Sequence, residues 1–218
     1  RYLRWIEVGS GVFLIGVGLF WTGSKSGWLI GLGVGGLWLL RLPWLPRLKT
    51  IAVVVVIAGG LMVFGVRFRS YFAAGATSVG ARFDYWRAAV QTTGANPVFG
   101  TGPGTFQRPY ARLKAPESEM ARLAHNDYLE QFSDSGVPGG LLFLAWVAVL
   151  LVTLRRRVWT VGTDPLNFAL YVGLVGWFAQ GFTEFGLYIP ALAWTAFTLA
   201  GVLLARTVTA RQTRDTSS

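Results

Sequence analysis

The sequence predicts an all-α, polytopic membrane protein with about six transmembrane helices and one large helical loop between the third and the fourth. Three observations carry this. Hydrophobic residues make up 53% of the chain and charged residues only 14%, where a soluble domain carries roughly a quarter charged. The apolar residues are gathered in blocks of about 17–20, the length that crosses a bilayer core as a helix. One long stretch, 67–136, is too rich in proline, glycine and charge to cross at all.

The six apolar stretches run approximately over 5–21, 26–42, 51–66, 137–154, 166–183 and 189–205. Each is short for a span, which tilt or a thin local bilayer accommodates. Their glycines, among them Gly31, Gly35, Gly36, Gly59, Gly60 and Gly173, suit close helix packing in lipid. The chain thus divides into three spans over 1–66, a loop over 67–136, three spans over 137–206 and a tail over 207–218. It opens on Arg1 with no signal-peptide pattern, and is expected to be the C-terminal part of a longer protein.

Basic residues orient the set. Arg1 and Arg4 precede the first span, and Arg41, Arg47 and Lys49 join the second to the third. Arg155, Arg156 and Arg157 follow the fourth; Arg206, Arg211 and Arg214 follow the sixth. With alternating spans all of these fall on one side, and cytoplasmic loops attract this bias. Both ends of the chain are therefore expected in the cytoplasm, with the loop outside. Long translocated loops escape the rule, so the loop's own arginines do not contradict it. Because the net charge of +10 is spent on membrane sidedness, it is no nucleic-acid footprint. The absence of cysteine excludes disulfides and thiolate chemistry.

Within the loop, Arg82, Trp86, Ala89 and Thr93 recur at near-helical spacing with Tyr85 and Val90 alongside, predicting a short amphipathic helix over 81–93. The run "NPVFGTGPGTF" is an irregular segment, broken by Pro97 and Pro103. A second helix is predicted from about Ser118 to Asp134, with Leu129 and Phe132 on one stripe with His125. "SGVPGG" then leads into the fourth span.

His125 is the one histidine of the chain. It reads either as a helix-face residue bonded to a neighbour or as a general base, since neutral imidazole accepts a hydroxyl proton at ambient pH. Asn126 or Asp127 could orient its ring or a substrate hydroxyl. Arg67 and Arg69 suit interfacial anchoring. Arg82, on a helix face with Tyr85 and Trp86 and followed by Arg87, could instead clamp phosphate oxygens with a planar fork. Lys25 in "TGSKSGW" reads as a snorkelling lysine. Glu184, at the outer end of the fifth span, is an interfacial carboxylate or a functional one. The glycine run is neither a Rossmann nor a Walker fingerprint and reads as a tight turn. The loop has no D-x-D and no second histidine, so no metal is expected.

Taken together, "RFDYWRAAVQTTGANPVFGTGPGTF" and "AHNDYLEQFSDSGVPGGLLF" resemble the large loop and following span of the O-antigen ligase/polymerase-like membrane proteins. The shared pattern is Arg-x₃-Trp, Asn-Pro-x₂-Gly-x-Gly, His-Asn-x-Tyr-Leu, then Gly-x-x-Gly into a span. "TGSKSGW" resembles the family's earlier Ser-Arg motif, with Lys25 where arginine is usual. The resemblance covers about half the chain. It implies a metal-independent glycan transferase of the bacterial inner membrane with a periplasmic active site. The donor would be a saccharide chain on undecaprenyl pyrophosphate, the acceptor a hydroxyl of lipid A core or of another glycan. By position His125 would be the base and Arg82 the pyrophosphate ligand, with Lys25, Trp86, Arg87, Asn126 and Glu184 as substrate-binding candidates. Full-length members have about twice as many spans, so partner helices would lie upstream in the same protein. A transporter or channel subunit without glycosyl transfer is the alternative, although the spans carry almost no midplane charge; a membrane scaffold is a third.

Overall fold

The computed structural model describes residues 14–42, 44–75, 77–160 and 164–215. Among these every regular element is helical. Helix α1 covers 14–22, followed by α2 (Lys25–Leu39), α3 (Pro46–Arg67), α4 (Arg69–Ala73), α5 (Thr77–Ala95), α6 (Gln107–Leu113), α7 (Asp127–Thr160) and α8 (Pro165–Gln180). A 3₁₀ turn, Gly186–Tyr188, leads into α9 (Pro190–Asp215). The chain forms two compact units, Arg1–Ser70 and Tyr71–Ser218.

Three helical segments among the described residues are long and apolar enough to cross a membrane: Pro46–Arg67, Asp127–Trp159 and Pro190–Thr209. They correspond to the third, fourth and sixth expected spans. The second and fifth are the shorter helices α2, of 15 residues, and α8, of 16. The first lies partly outside the described residues. This is a membrane protein.

In the first unit, α2 is capped by Ser24, whose hydroxyl accepts the Gly27 N–H at 3.1 Å. Pro46 starts α3, where its missing N–H costs nothing. Small residues let these two helices meet: Gly36 is buried against Ile57 and Val53, and Gly60 lies under the Leu32 side chain. Helix α3 fully buries no residue of its own: Val53, Ile57 and Gly60 are half-buried toward α2, and most of its remaining Val- and Ile-rich surface is exposed, as suits a lipid-facing helix.

The second unit is built on α7. Helices α5, α8 and α9 all pack against it, α8 reaching its first turn through Tyr128, whose hydroxyl donates to Phe178 O at 2.8 Å. Ala193, Ala196, Ala200, Leu203 and Thr207 form a buried stripe along α9 at helical spacing. At the far end of α8, Asp164 caps the helix through the Leu166 N–H. Arg206 of α9 binds Asn167 Oδ1 at 2.7 Å and Asp164 Oδ2 at 2.8 Å, fixing the α8–α9 register.

Two loop expectations change. The amphipathic helix is present but longer, Thr77–Ala95, and a further short helix, α6, follows the glycine run. The second loop helix starts at Asp127 rather than near Ser118. Asn126 decides this: its Oδ1 accepts the N–H groups of Tyr128 and Leu129, each at 3.0 Å, as an N-cap does. Asp127 and Glu130 are the acidic residues of the first turn, both buried. His125 therefore precedes the helix and shares no stripe with Leu129 and Phe132. Its φ of 51° is left-handed, a region that histidine enters more readily than most residues. Beyond this start, α7 runs through a kink at Gly136 (φ 71°, ψ −175°) into the span.

Candidate active site

Three chain segments of the second unit converge: the inner face of α5, the stretch ending at His125–Asn126, and the turn after α8. What holds the turn is a run of consecutive carbonyls. Gly181 O accepts the Asp127 N–H at 2.7 Å, Phe182 O the Asn126 Nδ2 amide at 2.9 Å, and Thr183 O the Arg82 Nε–H at 3.1 Å. The next residue is Glu184, and its carboxylate joins the other two segments. Oε1 meets Arg82 Nη2 at 2.5 Å; Oε2 lies 3.3 Å from His125 Nδ1.

Helix α5 supplies Arg82 because its inner face, Tyr85, Ala88, Ala89 and Thr92, is buried. That face packs with Phe106, Tyr110, Ala121 and Ala124, and Trp86 and Leu129 join the edge. The His125 ring is held on two sides: the Tyr85 ring stacks on it at 5.7 Å between centroids, and the Phe185 ring meets it edge-on at 4.6 Å. Trp86 donates its indole N–H to the His125 carbonyl at 3.4 Å. Ring and backbone of His125 are thus both fixed, while its side chain remains 32% exposed.

Charge balances within the cluster. Burial raises the Glu184 pKa, but the hydrogen bond to His125 and the Arg82 charge outweigh it and hold the carboxyl below its usual value. Burial raises the Tyr85 phenol, reinforced by Glu119, opposed by Arg82 and reinforced again by Asp84, so the ring beside His125 is neutral. A carboxylate taking Nδ1–H leaves Nε2 with the lone pair, and Nε2 takes no partner among the described residues.

The first turns of α7 carry three acids, of which the sequence pointed only to Asp127. Asp127 accepts the Leu187 N–H at 3.2 Å, Glu130 the Ala124 N–H, and Asp134 both the Gly104 N–H at 2.8 Å and the Tyr188 hydroxyl at 2.9 Å. Together they pin the loops around the site, Asp127 and Asp134 both holding the turn at Leu187–Tyr188. Glu130, fully buried, anchors the residue next to His125. Their spacing of three and four on a capped helix was the available signal. The glycine run is laced onto the same helix: Thr101 N–H bonds Ser133 O and Gly102 N–H bonds Asp134 O. The packing is close enough that a Cβ on Gly100 (φ 65°) would meet the Asp134–Ser135 backbone, and one on Gly136 the Pro97–Val98 backbone.

Of the candidates from sequence, His125, Arg82, Glu184, Trp86 and Asn126 come together here. The Asn126 amide is committed at both ends, to the α7 cap and to Phe182, and is buried. Arg87 is exposed on α5. Lys25 belongs to the first unit, at the start of α2, with Nζ 5.2 Å from the Phe68 ring centroid. Asp127, the other candidate orienter, binds backbone instead. Among the described residues no three metal-ligating side chains gather into a group that could hold a metal ion.

A family model described as O-antigen ligase matches residues 10–144, which include Lys25, Arg82, Trp86, His125 and Asn126 but not Glu184. A curated protein of Haemophilus influenzae, named only as an uncharacterized protein, is 26% identical over 171 residues, covering 67% of this chain. The chain spans 42% of that relative's length. With the family match extending over more than half its residues, this membrane chain belongs to the O-antigen ligase family.

Proposed function

We propose that the chain carries the transfer site of a membrane glycan transferase. It would move a saccharide chain from undecaprenyl pyrophosphate to an acceptor hydroxyl, as an O-antigen ligase or polymerase does. The observation that carries this reading is the single Glu184 carboxylate shared by an imidazole and a guanidinium. His125 Nε2 accepts the acceptor hydroxyl proton as that oxygen bonds to the anomeric carbon of the donor. The anomeric carbon–oxygen bond breaks, and its electron pair leaves on the pyrophosphate. Arg82 bears Nε on Thr183 O and Nη2 on Glu184, while Nη1 takes no hydrogen bond among the described residues. It meets the growing phosphate charge with a fork already in place, which spares reorganisation at the transition state. Glu184 stabilises the imidazolium that forms. No step in this reading needs a metal.

Around that centre the reading takes the six spans, the divisions 1–66, 67–136, 137–206 and 207–218, cytoplasmic ends and a periplasmic loop in a bacterial inner membrane. Lys25 and Arg87 would bear on the lipid-linked donor, Trp86 and Asn126 on the placement of His125, with upstream helices of the same protein completing the enclosure. The experiment is complementation in a deletion strain. His125→Ala should insert normally and leave glycan on the carrier lipid. Full-length chains left there indicate a ligase, whereas single repeats on the core indicate a polymerase. Normal surface glycan in the variant would remove His125 from the mechanism.

A further inference from the structure

The faces of α5 diverge at Tyr85. On one side Arg82, Tyr85 and Trp86 meet Glu184 and His125. On the other, Tyr85 helps line a cavity of about 430 Å³, within the roughly 300–1,000 Å³ of small-molecule sites. Asp84, Glu117 and Glu119 bring carboxylates to it, and Ser78 and Ser118 bring hydroxyls. No lysine or arginine lines it. The cavity is shaped on purpose by local bonds: Ser118 Oγ donates to Asp84 Oδ2 at 3.1 Å, closing the 117–119 turn onto α5. Lys114, the basic group of that turn, is engaged by the carbonyls of Ala115, Pro116 and Ser118. In a chain with net charge +10, this is a negative concavity one aromatic ring away from the imidazole.

A second cavity, of about 230 Å³, adjoins the centre beside Phe185. Glu184 and Phe185 line it with Trp177, Ile189 and Leu192. Phe185 touches His125 just as Tyr85 does. The reacting groups therefore adjoin two hollows, one lined by carboxylates and hydroxyls and one mainly apolar. A pyrophosphate cannot settle among three carboxylates, since like charges at such range repel. A sugar can, because carboxylates and serine hydroxyls accept and donate to its hydroxyls while a tyrosine ring supplies an apolar wall.

We infer that the cavity beside Tyr85 is the acceptor subsite, and that it selects acceptors whose sugar at this position is neutral or amino-bearing over acidic ones. This rests on the transfer reading above and adds the chemical class of the acceptor. The acceptor sugar would occupy the hollow with the attacking hydroxyl, or the next residue bearing it, directed past Tyr85 to His125.

The test uses the whole protein in native membranes and three short oligosaccharides ending in glucosamine, glucose or glucuronate. Each is measured as a competitor of transfer and, separately, for direct binding by saturation-transfer NMR. Glucosamine should outcompete glucuronate by about tenfold, the order expected when solvent-exposed carboxylates favour one charge and disfavour the other. Glu117 and Glu119 are exposed, so Glu117→Gln/Glu119→Gln should fold normally. It should bring the two competitors within about twofold of each other with donor KM unchanged, and Glu117→Lys/Glu119→Lys should invert the preference. Equal competition in the wild-type protein, or discrimination that survives both double variants, overturns the inference. If binding discriminates as stated but no transfer occurs, the subsite stands and the transferase reading fails.

Discussion

Replacing Glu184 by Gln keeps the side chain's shape and removes its charge, and the geometry sets the cost. The carboxylate now offers Oε1 to Arg82 Nη2 and Oε2 to His125 Nδ1. A carboxamide has one acceptor oxygen, so its NH₂ must face either the guanidinium or the ring N–H, donor against donor. Transfer suffers further because the imidazolium formed at the transition state loses its counter-charge. Two unit charges about 4 Å apart attract by about 1 kcal/mol in water and about 4 kcal/mol at the effective dielectric of a protein surface. With the His125 and Glu184 side chains each 32% exposed, an intermediate value of about 2 kcal/mol is expected, or roughly thirtyfold in rate. The assay is single-turnover transfer from lipid-linked saccharide in membranes containing matched amounts of protein. Glu184→Gln should lose about thirtyfold in the transfer step while inserting normally. Glu184→Asp, which keeps the charge but retracts it by one methylene, should lose a similar amount because it cannot reach both partners. Turnover of the Gln variant within about threefold of wild type would refute the shared-carboxylate argument.

Other outcomes follow from the same contacts. Arg82→Lys keeps a cation but gathers its donors on one nitrogen, which cannot span Thr183 O and Glu184 as Nε and Nη2 do and still offer a planar fork to phosphate; transfer should fall severely, read as raised donor KM and lowered kcat. Gly136→Ala places a Cβ 2.6 Å from the Val98 backbone at a φ of 71°. It should lower thermal stability by about 2 kcal/mol or more, seen as a reduced melting temperature in detergent. Asn126→Ala removes the α7 cap and the Phe182 bond, costing about 1–2 kcal/mol together with activity, because His125 loses its adjoining anchor. As to pH, a depressed folded-state carboxyl contributes stability above its unfolded pKa and loses it as pH falls through the folded value. The contribution of Glu184, held below the usual range chiefly by His125 and Arg82 against the cost of burial, should begin to fade as pH falls past the unfolded carboxyl value and persist in part until pH drops below the folded one. Acid titration of thermal stability should show that shoulder in the wild type and not in Glu184→Gln.

The helical class and the principal loop helix are readable because they rest on local signals: apolar run length, and the stripe Arg82, Trp86, Ala89 that the structure extends to Thr77–Ala95. The start of α7 was misplaced for a physical reason. Residues 118–126 have helix-compatible composition, but the Asn126 cap and the reach of Glu130 back to Ala124 give those backbone groups other partners. His125 is consequently a left-handed residue at a helix entrance, a position that periodicity cannot reveal. The two short helices α2 and α8 fall below the length that marks a span unaided. For the site, residue types pointed to His125, Arg82 and Glu184 separately. Their union could not be read, since Glu184 lies 59 residues from His125 and 102 from Arg82 and is positioned by backbone carbonyls that carry no sequence signature.

The most direct measurement is the transfer rate of His125→Asn, with donor binding measured in parallel on the same membranes. Asparagine accepts the left-handed backbone that His125 occupies, so strain does not confound the result, but its amide cannot take up a proton. The account predicts donor binding close to wild type and a fall in transfer of roughly 10²–10⁴-fold. Transfer at wild-type rate by this variant would contradict it.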